Sequence, residues 1–360
     1  METKKIAFCI TCMNRLNHLQ QTLEKNIQDN YLPEEVEFVL LDYNSKDGLD
    51  EWVKQNMQQY IDTGILGYYK TYDPEYYLRS HSRNMVFRLA NAEILCNLDA
   101  DNFLGKGFAA FMIEEFAKQK FIFYTSDCSF EDIFGRVLMS QKDFYEVRGY
   151  NEALNGYGYE DVDFFFRLNK LGLTQKHFWD REFYNVIQHS KAERIADEYM
   201  LKNTKRMYIS YINPYKSSLL LQLKGFTWEQ YTLVDNPHLN TLNDVSTTVS
   251  NLSDERNRII IQRDFQKGNW QQNEDNIIIQ DVADEVTFRF DSQKFNYQNK
   301  TYYLITDTEL KTELIILLTS AINFHKAKKQ ISENELINPE GFGRGVTYKN
   351  FNPNIPVILS

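Results

Sequence analysis

A chain of 360 residues with 42% hydrophobic and 25% charged side chains and only 7 prolines has the composition of an ordinary globule, which excludes collagen-like, largely disordered and coiled-coil chains. Its length exceeds what one hydrophobic core usually holds and favours two domains. With 40 Lys and Arg against 50 Asp and Glu, the net charge of −10 has the wrong sign for a protein held on nucleic acid by phosphate neutralisation, so any polyanionic partner must be gripped locally.

Strand-like sequence begins at Ile6 with no apolar leader before it, and no apolar run reaches the roughly 20 residues of a membrane span, so the expected location is the cytoplasm, at most peripheral at the inner face of a membrane. Ile6 to Thr11 reads as a buried strand, and Leu16, Leu19, Leu23 and Ile27 then recur at helical spacing. Cys9 and Cys12 lack a second pair at zinc spacing and, like Cys96 and Cys128, read as buried thiols. Glu37 to Asp42 is a second strand ending in the polar loop Asp42 to Gly48, and a helical stretch follows near Asp50 to Tyr60. A strand near Ile65 to Lys70, a helix near Ser80 to Asn91 and a strand at Glu93 to Leu98 come next. The last runs into Asp99-Ala-Asp101.

This alternation implies a mainly parallel sheet, because parallel neighbours need crossover helices. Ligands of such sheets bind beyond the carboxyl ends of the strands, where Thr11, Asp42 and Asp99 all fall. Phe121 to Cys128 and Arg136 to Ser140 are strand-like, Gly156-Tyr-Gly-Tyr-Glu-Asp-Val-Asp163 opens a helix to about Leu171, and Glu193 to Ile212 reads as a long charge-rich helix. Near Gly225 the sequence turns polar, with short strands such as Val286 to Phe290 and Thr301 to Ile305 and a helix near Leu310 to Lys328. These features place a first domain at 1–224 and a smaller mixed α+β domain at 225–360.

Four groups of residues carry chemistry. Asp99 and Asp101, at a strand end, can present oxygens to one divalent cation, which in turn can hold a diphosphate that carboxylates would repel. Thr11-Cys-Met-Asn-Arg15 with Asp42-Tyr-Asn44 offers a carboxylate for a base or ribose hydroxyl, while Arg15 and Arg83 offset phosphate charge; a simple turn accounts equally for Asp42 to Asp47. In Gly156-Tyr157-Gly158-Tyr159-Glu160-Asp161 the glycines permit a tight loop, the tyrosines offer faces for sugar stacking, and Asp161 is the natural general base for an attacking hydroxyl. His189 becomes a metal ligand if the fold returns its segment to Asp101.

In this order the motifs Thr-Cys-Met-Asn-Arg, the Asp42 loop, Arg83-Asn, Leu-Asp-Ala-Asp and Gly-Tyr-Gly-Tyr-Glu-Asp resemble the inverting GT-A glycosyltransferases of the family-two kind, over about Lys4 to Tyr211. Gly149 to Ser190 looks more specifically like the carboxyl-terminal catalytic region of β4-galactosyltransferases and bacterial chondroitin-polymerase-like enzymes. The resemblance implies a Rossmann-like GT-A domain, a UDP-sugar donor carrying Gal or GalNAc, Mn2+ or Mg2+, a glycan acceptor and a place in polysaccharide biosynthesis. It assigns Asp161 as base, Glu160 as a contact to acceptor or donor sugar, Asp101 as principal metal ligand with Asp99 beside it, and His189 as second ligand. Tyr157 stands where the family usually has Trp, and Val186 where animal galactosyltransferases place a metal-binding Met. A homo-oligomer built through the C-terminal domain is a further expectation.

The implied reaction is a single in-line displacement with inversion. Its rivals are a sugar-nucleotide pyrophosphorylase, which would need a Gly-rich phosphate loop that Thr11 to Arg15 lacks, and a glycoside hydrolase, for which adjacent Glu160 and Asp161 are poorly disposed. A carbohydrate-binding protein without transferase activity is the non-enzymatic alternative.

Overall fold

The computed structural model describes residues 3–127, 131–213, 216–225, 227–235, 270–273, 276–280, 285–289, 294–297 and 299–360. They form two compact units. The first comprises Met1–Asn155, Tyr159–His189 and Gln330–Ser360, and the second Gly156–Gly158 with Ser190–Lys329.

The first unit runs β1 (Lys4–Cys12), α1 (Leu16–Asp29), β2 (Val36–Tyr43), α2 (Leu49–Asn56), α3 (Gln58–Asp62), β3 (Leu66–Thr71), α4 (Arg79–Leu89), β4 (Ala92–Asn97), α5 (Phe108–Lys118), β5 (Ile122–Thr125), β6 (Val137–Ser140), α6 (Gln141–Glu146), α7 (Glu160–Lys170) and β7 (Thr174–His177). The second holds α8 (Lys191–Arg194), α9 (Tyr199–Asn203), β8 (Thr204–Asn213), β9 (Lys216–Leu223), β10 (Trp228–Asp235), β11 (Trp270–Asn273), β12 (Asn276–Gln280), β13 (Glu285–Arg289), β14 (Lys294–Tyr297), β15 (Lys300–Leu304) and α10 (Thr308–Ser332). The chain then supplies β16 (Gly345–Lys349) and β17 (Pro356–Leu359) to the first unit.

Among the described residues the first unit carries a nine-stranded sheet in the order β17-β16-β3-β2-β1-β4-β6-β5-β7. Its centre, β3-β2-β1-β4, is parallel, as the α/β alternation requires, and β7 is parallel to β5. Successive β1 residues point into opposite cores: Ile6, Phe8 and Ile10 to one face, Ala7 and Cys9 to the other. A strand buried on both faces reads as a continuous apolar run, which β1 does. Each fully buried Phe or Leu here stabilises the fold by roughly 1.5–3 kcal/mol.

Two expectations give way. The segment Glu193 to Ile212 is not one long helix, because Met207 and Ile209 enter one core while Tyr208 enters another, a period of two that makes β8 a strand. The units also divide the chain at Ser190 and Gln330 rather than near Lys224, since β16 pairs Tyr348 with Lys70 of β3 and thereby joins the terminal segment to the first sheet. The change of composition near Gly225 falls inside the second unit. There β10-β9-β8-β15-β14 form one sheet among the described residues, and Leu310, Leu314, Ile315 and Leu318 of α10 pack with Ile209, Leu219 and Leu221. Cys9, Cys12 and Cys96 are free and buried, and burial raises all three thiols above their ordinary range. Cys128 and Phe290 lie outside the described residues. Among those described, no helix is long and apolar enough to cross a membrane.

Candidate active site

The Asp99–Asp101 turn leaves β4 and is tied down by an unexpected partner, the face of α1. Thr22, Asn26 and Asn30 recur at i, i+4 and i+8 and are buried. The Thr22 hydroxyl donates to the Ala100 carbonyl at 2.7 Å, Asn26 donates to the Asn102 carbonyl at 2.9 Å and accepts from the Leu104 N–H at 2.8 Å, and Asn30 joins the Gly105 carbonyl and Ala109 N–H. A buried polar loop is stable only when its backbone groups are paired in this way. Gly105, at φ +81°, lies so close to the Glu182 carbonyl that a Cβ would approach it to 2.5 Å.

The same turn receives the segment that carries His189. Asn102 and Val186 form an antiparallel bridge, the Ile187 N–H donates to the Asp101 carbonyl at 2.9 Å, and Phe103 donates to the Asn185 carbonyl at 3.0 Å. Arg136, 1% exposed, donates to the carbonyls of Phe183 and Phe103 and to Asn102 Oδ1, with the rings of Phe108 and Phe178 on its guanidinium. His189 Nε2 consequently lies 2.6 Å from Asp101 Oδ2, while Asp101 Oδ1 accepts from Asn102 Nδ2 at 2.8 Å. Burial raises the Asp101 carboxyl, but the hydrogen bond and charge of His189 outweigh it and hold the group below the ordinary carboxylate range.

Beside this pair, Arg83 of α4 is buried among acids. Its Nη1 donates to Asp161 Oδ1 at 2.7 Å and lies 3.6 Å from Glu160 Oε1, and its Nη2 lies 3.6 Å from Asp99 Oδ1. Glu160 and Asp161 fall in the first turn of α7, where the helix dipole favours negative charge. The residue before them, Tyr159, has φ +74°, an uncommon conformation for a bulky side chain. Burial, joined by the nearby charges of Glu160 and Asp99, pushes the Asp161 carboxyl up to about 7 against the lowering effect of Arg83. Asp161 is therefore poised to exchange a proton near neutrality, as a general base requires.

The structure sorts the expected site residues. Asp99, Asp101, Arg83, Glu160, Asp161 and His189 all lie in the first unit. Asp99 does not stand beside Asp101 toward His189: the Asn102 N–H to Asp99 carbonyl bond makes Asp99–Asn102 a turn, and the Asp99 side chain faces Arg83 and accepts from Asn97 at 3.1 Å. Arg83 is likewise committed to carboxylates rather than left as a cation for phosphate. Asp42 is fully buried, accepting from the Ser45 N–H and the Tyr68 hydroxyl, both at 2.8 Å, with Lys70 at 3.4 Å, so it holds its loop instead of meeting a base or ribose. Asn44 donates to the Pro74 carbonyl and accepts from Lys46, Thr11 bonds the Tyr77 hydroxyl at 2.8 Å, and Arg15 opens α1 as its N-cap residue. Tyr157 belongs to the second unit, where its hydroxyl accepts from Arg194 at 3.1 Å.

Asn26, Arg136 and Gly135 escaped the sequence reading. A Cβ on Gly135 would lie 2.9 Å from Arg83 Nη2, 3.3 Å from Asp161 Oδ2 and 3.4 Å from Asp99 Oδ2, so only a glycine leaves these groups room to converge. A Thr-Asn-Asn row at helical spacing is the one signal that pointed to the α1 contacts.

Asp101 and His189 supply an oxygen and a nitrogen donor, a set that suits Mn2+, and both side chains are mostly buried at 16% and 8% exposure. Among the described residues no group of three His, Cys, Asp or Glu forms a metal cluster. A cation here would complete its shell with water and substrate oxygens, the habit of Mg2+ and Mn2+ at diphosphates.

A family profile described as the N-terminal domain of galactosyltransferase matches residues 123–201, the stretch from β5 through α7 and His189 to α9. The chain thus carries a transferase-type domain, in line with the expectation of an enzyme. No curated protein matches the sequence. Solved structures similar to the chain include the mannosyltransferase PcManGT of Pyrobaculum calidifontis with GDP-Man and Mn2+, at 14% identity and a TM-score of 0.42 over 50% of this chain and 56% of that one. TarS 1-349 of S. aureus gives 14% identity and a TM-score of 0.43 over 52% and 61%, and its complex with UDP-GlcNAc 13% and 0.39 over 52% and 63%. The chain thus spans under two thirds of each of these solved chains.

Proposed function

We propose that this chain is an inverting, metal-dependent glycosyltransferase of the family-two kind that moves a hexosyl group, Gal or GalNAc, from a UDP-sugar to a glycan hydroxyl in polysaccharide biosynthesis. The observation that carries the reading is that one turn beyond β4, Asp99–Asn102, is reached from both sides, by the Arg83-Asp161 ion pair through Asp99 and by His189 through Asp101. The galactosyltransferase-type match over 123–201 supports it and favours a galactose-like donor.

In this mechanism Asp161 accepts the proton of the attacking acceptor hydroxyl, and Arg83 fixes the carboxylate so that one oxygen is aimed while the other remains free to receive it. Glu160 contacts the sugar. A Mn2+ or Mg2+ held by Asp101 and His189 would neutralise charge on the departing diphosphate. Asp99, tethered by Arg83 and Asn97, keeps the negative field that raises Asp161.

The test is a screen of UDP-sugars for UDP release by the full chain, with and without Mn2+, beside Asp161→Asn. Metal-stimulated release from UDP-Gal or UDP-GalNAc, reduced about 10²-fold or more by the substitution, is expected. No release from any UDP-sugar, or unchanged release by Asp161→Asn, overturns the reading.

A further inference from the structure

The register of the first sheet fixes what lies along its carboxyl edge beyond the reaction centre. Cys96 pairs with Leu138, Leu138 with Tyr124, and Tyr124 with Lys176, so these residues form one row across β4, β6, β5 and β7. β6 is antiparallel to both β4 and β5, and β7 is parallel to β5, so β4, β5 and β7 run in one direction. Asp99 stands three positions beyond Cys96 in the row, and Trp179 stands three beyond Lys176. Both therefore lie just beyond the carboxyl ends of their strands, β4 and β7, which are three strand spacings apart in the sheet, or about 14 Å.

Trp179 is 68% exposed, and its setting is built rather than loose. The His177 ring meets the indole edge-on with centroids 5.7 Å apart. His177 Nδ1 is itself held at 3.1 Å by the Thr125 hydroxyl and by the Ser126 carbonyl, and Thr125 and Ser126 are buried. Because β6 runs the other way, Gly135, two residues ahead of it and buried, lies at the same end of the sheet, against Arg83, Asp161 and Asp99.

A saccharide has apolar C–H faces that lie flat on an aromatic ring and a polar perimeter that stays in water, the complement of a braced, exposed indole. We propose that Trp179 is the outer end of an acceptor subsite for a glycan several sugars long, with its reacting hydroxyl at Asp161 and its chain running along the carboxyl edge to the indole. This rests on the transferase reading above and adds to it a preference for oligosaccharide over monosaccharide acceptors.

Fluorescently labelled full-length wild type, Trp179→Ala and Trp179→Phe are applied with UDP and Mn2+ to a printed panel of defined glycans, from monosaccharides to hexasaccharides. Thermal melting verifies that each variant folds, and UDP-sugar hydrolysis by the wild type is measured separately. Retention of the wild type on glycans longer than a disaccharide, weakened about tenfold in Trp179→Ala and largely kept in Trp179→Phe, is the expected result. Equal retention of the folded Ala variant, or a wild type indifferent to glycan length or retained by none, overturns the subsite while leaving the hydrolysis result standing. Absence of hydrolysis by the wild type overturns the transferase reading itself, and the subsite with it.

Discussion

Arg83 donates to Asp161 at 2.7 Å across 78 positions of sequence, joining α4 to the first turn of α7 inside the protein. With Glu160 and Asp99 also within 3.6 Å, this guanidinium balances a locally acidic pocket. Replacing it with an apolar group of similar length would leave buried carboxylates uncompensated, a situation that costs roughly 3–5 kcal/mol. Arg83→Met is therefore expected to lower the unfolding free energy from urea titration by that amount and to abolish transfer, whereas Asp161→Asn removes one acid and costs less. Equal losses for the two variants would show that Arg83 does not serve the cluster as its counter-ion.

The Asp161 carboxyl, pushed up to about 7, gives a pH dependence of definite sign. A base must be ionised to accept a proton, so kcat/KM is expected to rise with pH and level off above about 7, and Asp161→Asn lacks this limb. Stability moves the other way. The folded state holds this proton more tightly than the unfolded chain, so the contribution of Asp161 is fully present below the ordinary carboxylate range and is lost as pH rises from there through about 7. Melting of the wild type relative to Asp161→Asn, followed from pH 4 to 8, is expected to fall across that window. A relative rise would mean that the Arg83 ion pair depresses the group instead.

The strand and helix alternation of the first half was legible because apolar runs such as Ile6 to Thr11 and Ile94 to Leu98 must be buried on both faces of a parallel sheet, and nothing else in the sequence competes with that signal. What the sequence hid was pairing at a distance. Asp99 and Asp101 are neighbours whose carboxylates look equivalent, yet the turn at Asp99–Asn102 sends one to Arg83 and the other to His189. Asp42 sits at the strand end that topology marks for ligands, but Tyr68 and Ser45 enclose it, and neither partner is marked by local pattern. The segment after Glu193 was misread because its charges resemble a solvated helix, while the period of two at Met207 and Ile209 was the stronger signal.

The α1 face should prove as important to the metal pair as the ligands themselves. Asn26 satisfies both the Asn102 carbonyl and the Leu104 N–H, so Asn26→Ala strands two buried backbone groups at a cost of about 1–3 kcal/mol. The turn that carries Asp101 then loosens. The half-saturating Mn2+ concentration, read from the signal of free Mn2+ by electron paramagnetic resonance, is expected to rise several-fold, whereas Gln21→Ala on the exposed face of α1 leaves it unchanged. Equal Mn2+ affinity in the folded Asn26→Ala protein would detach the helix from the site.

Gly135 offers the sharpest separation of catalysis from folding. Its missing side chain leaves space bounded by Arg83 Nη2 at 2.9 Å, Asp161 Oδ2 at 3.3 Å and Asp99 Oδ2 at 3.4 Å from where a Cβ would sit. The first distance is shorter than real Cβ contacts, so Gly135→Ala must displace the guanidinium, and that group is buried and committed to Asp161. A small displacement of a base from its productive geometry costs up to about 10²-fold in rate. The global cost is smaller, because the methyl touches side-chain ends rather than the sheet backbone. Gly135→Ala is therefore expected to lower kcat well beyond what its change in melting temperature explains. The clash is with the arginine fork, so Arg83→Lys should remove it, and the double variant should lose less than the two single losses combined. Strict additivity in that cycle would place the methyl's effect somewhere other than on the Arg83-Asp161 pair.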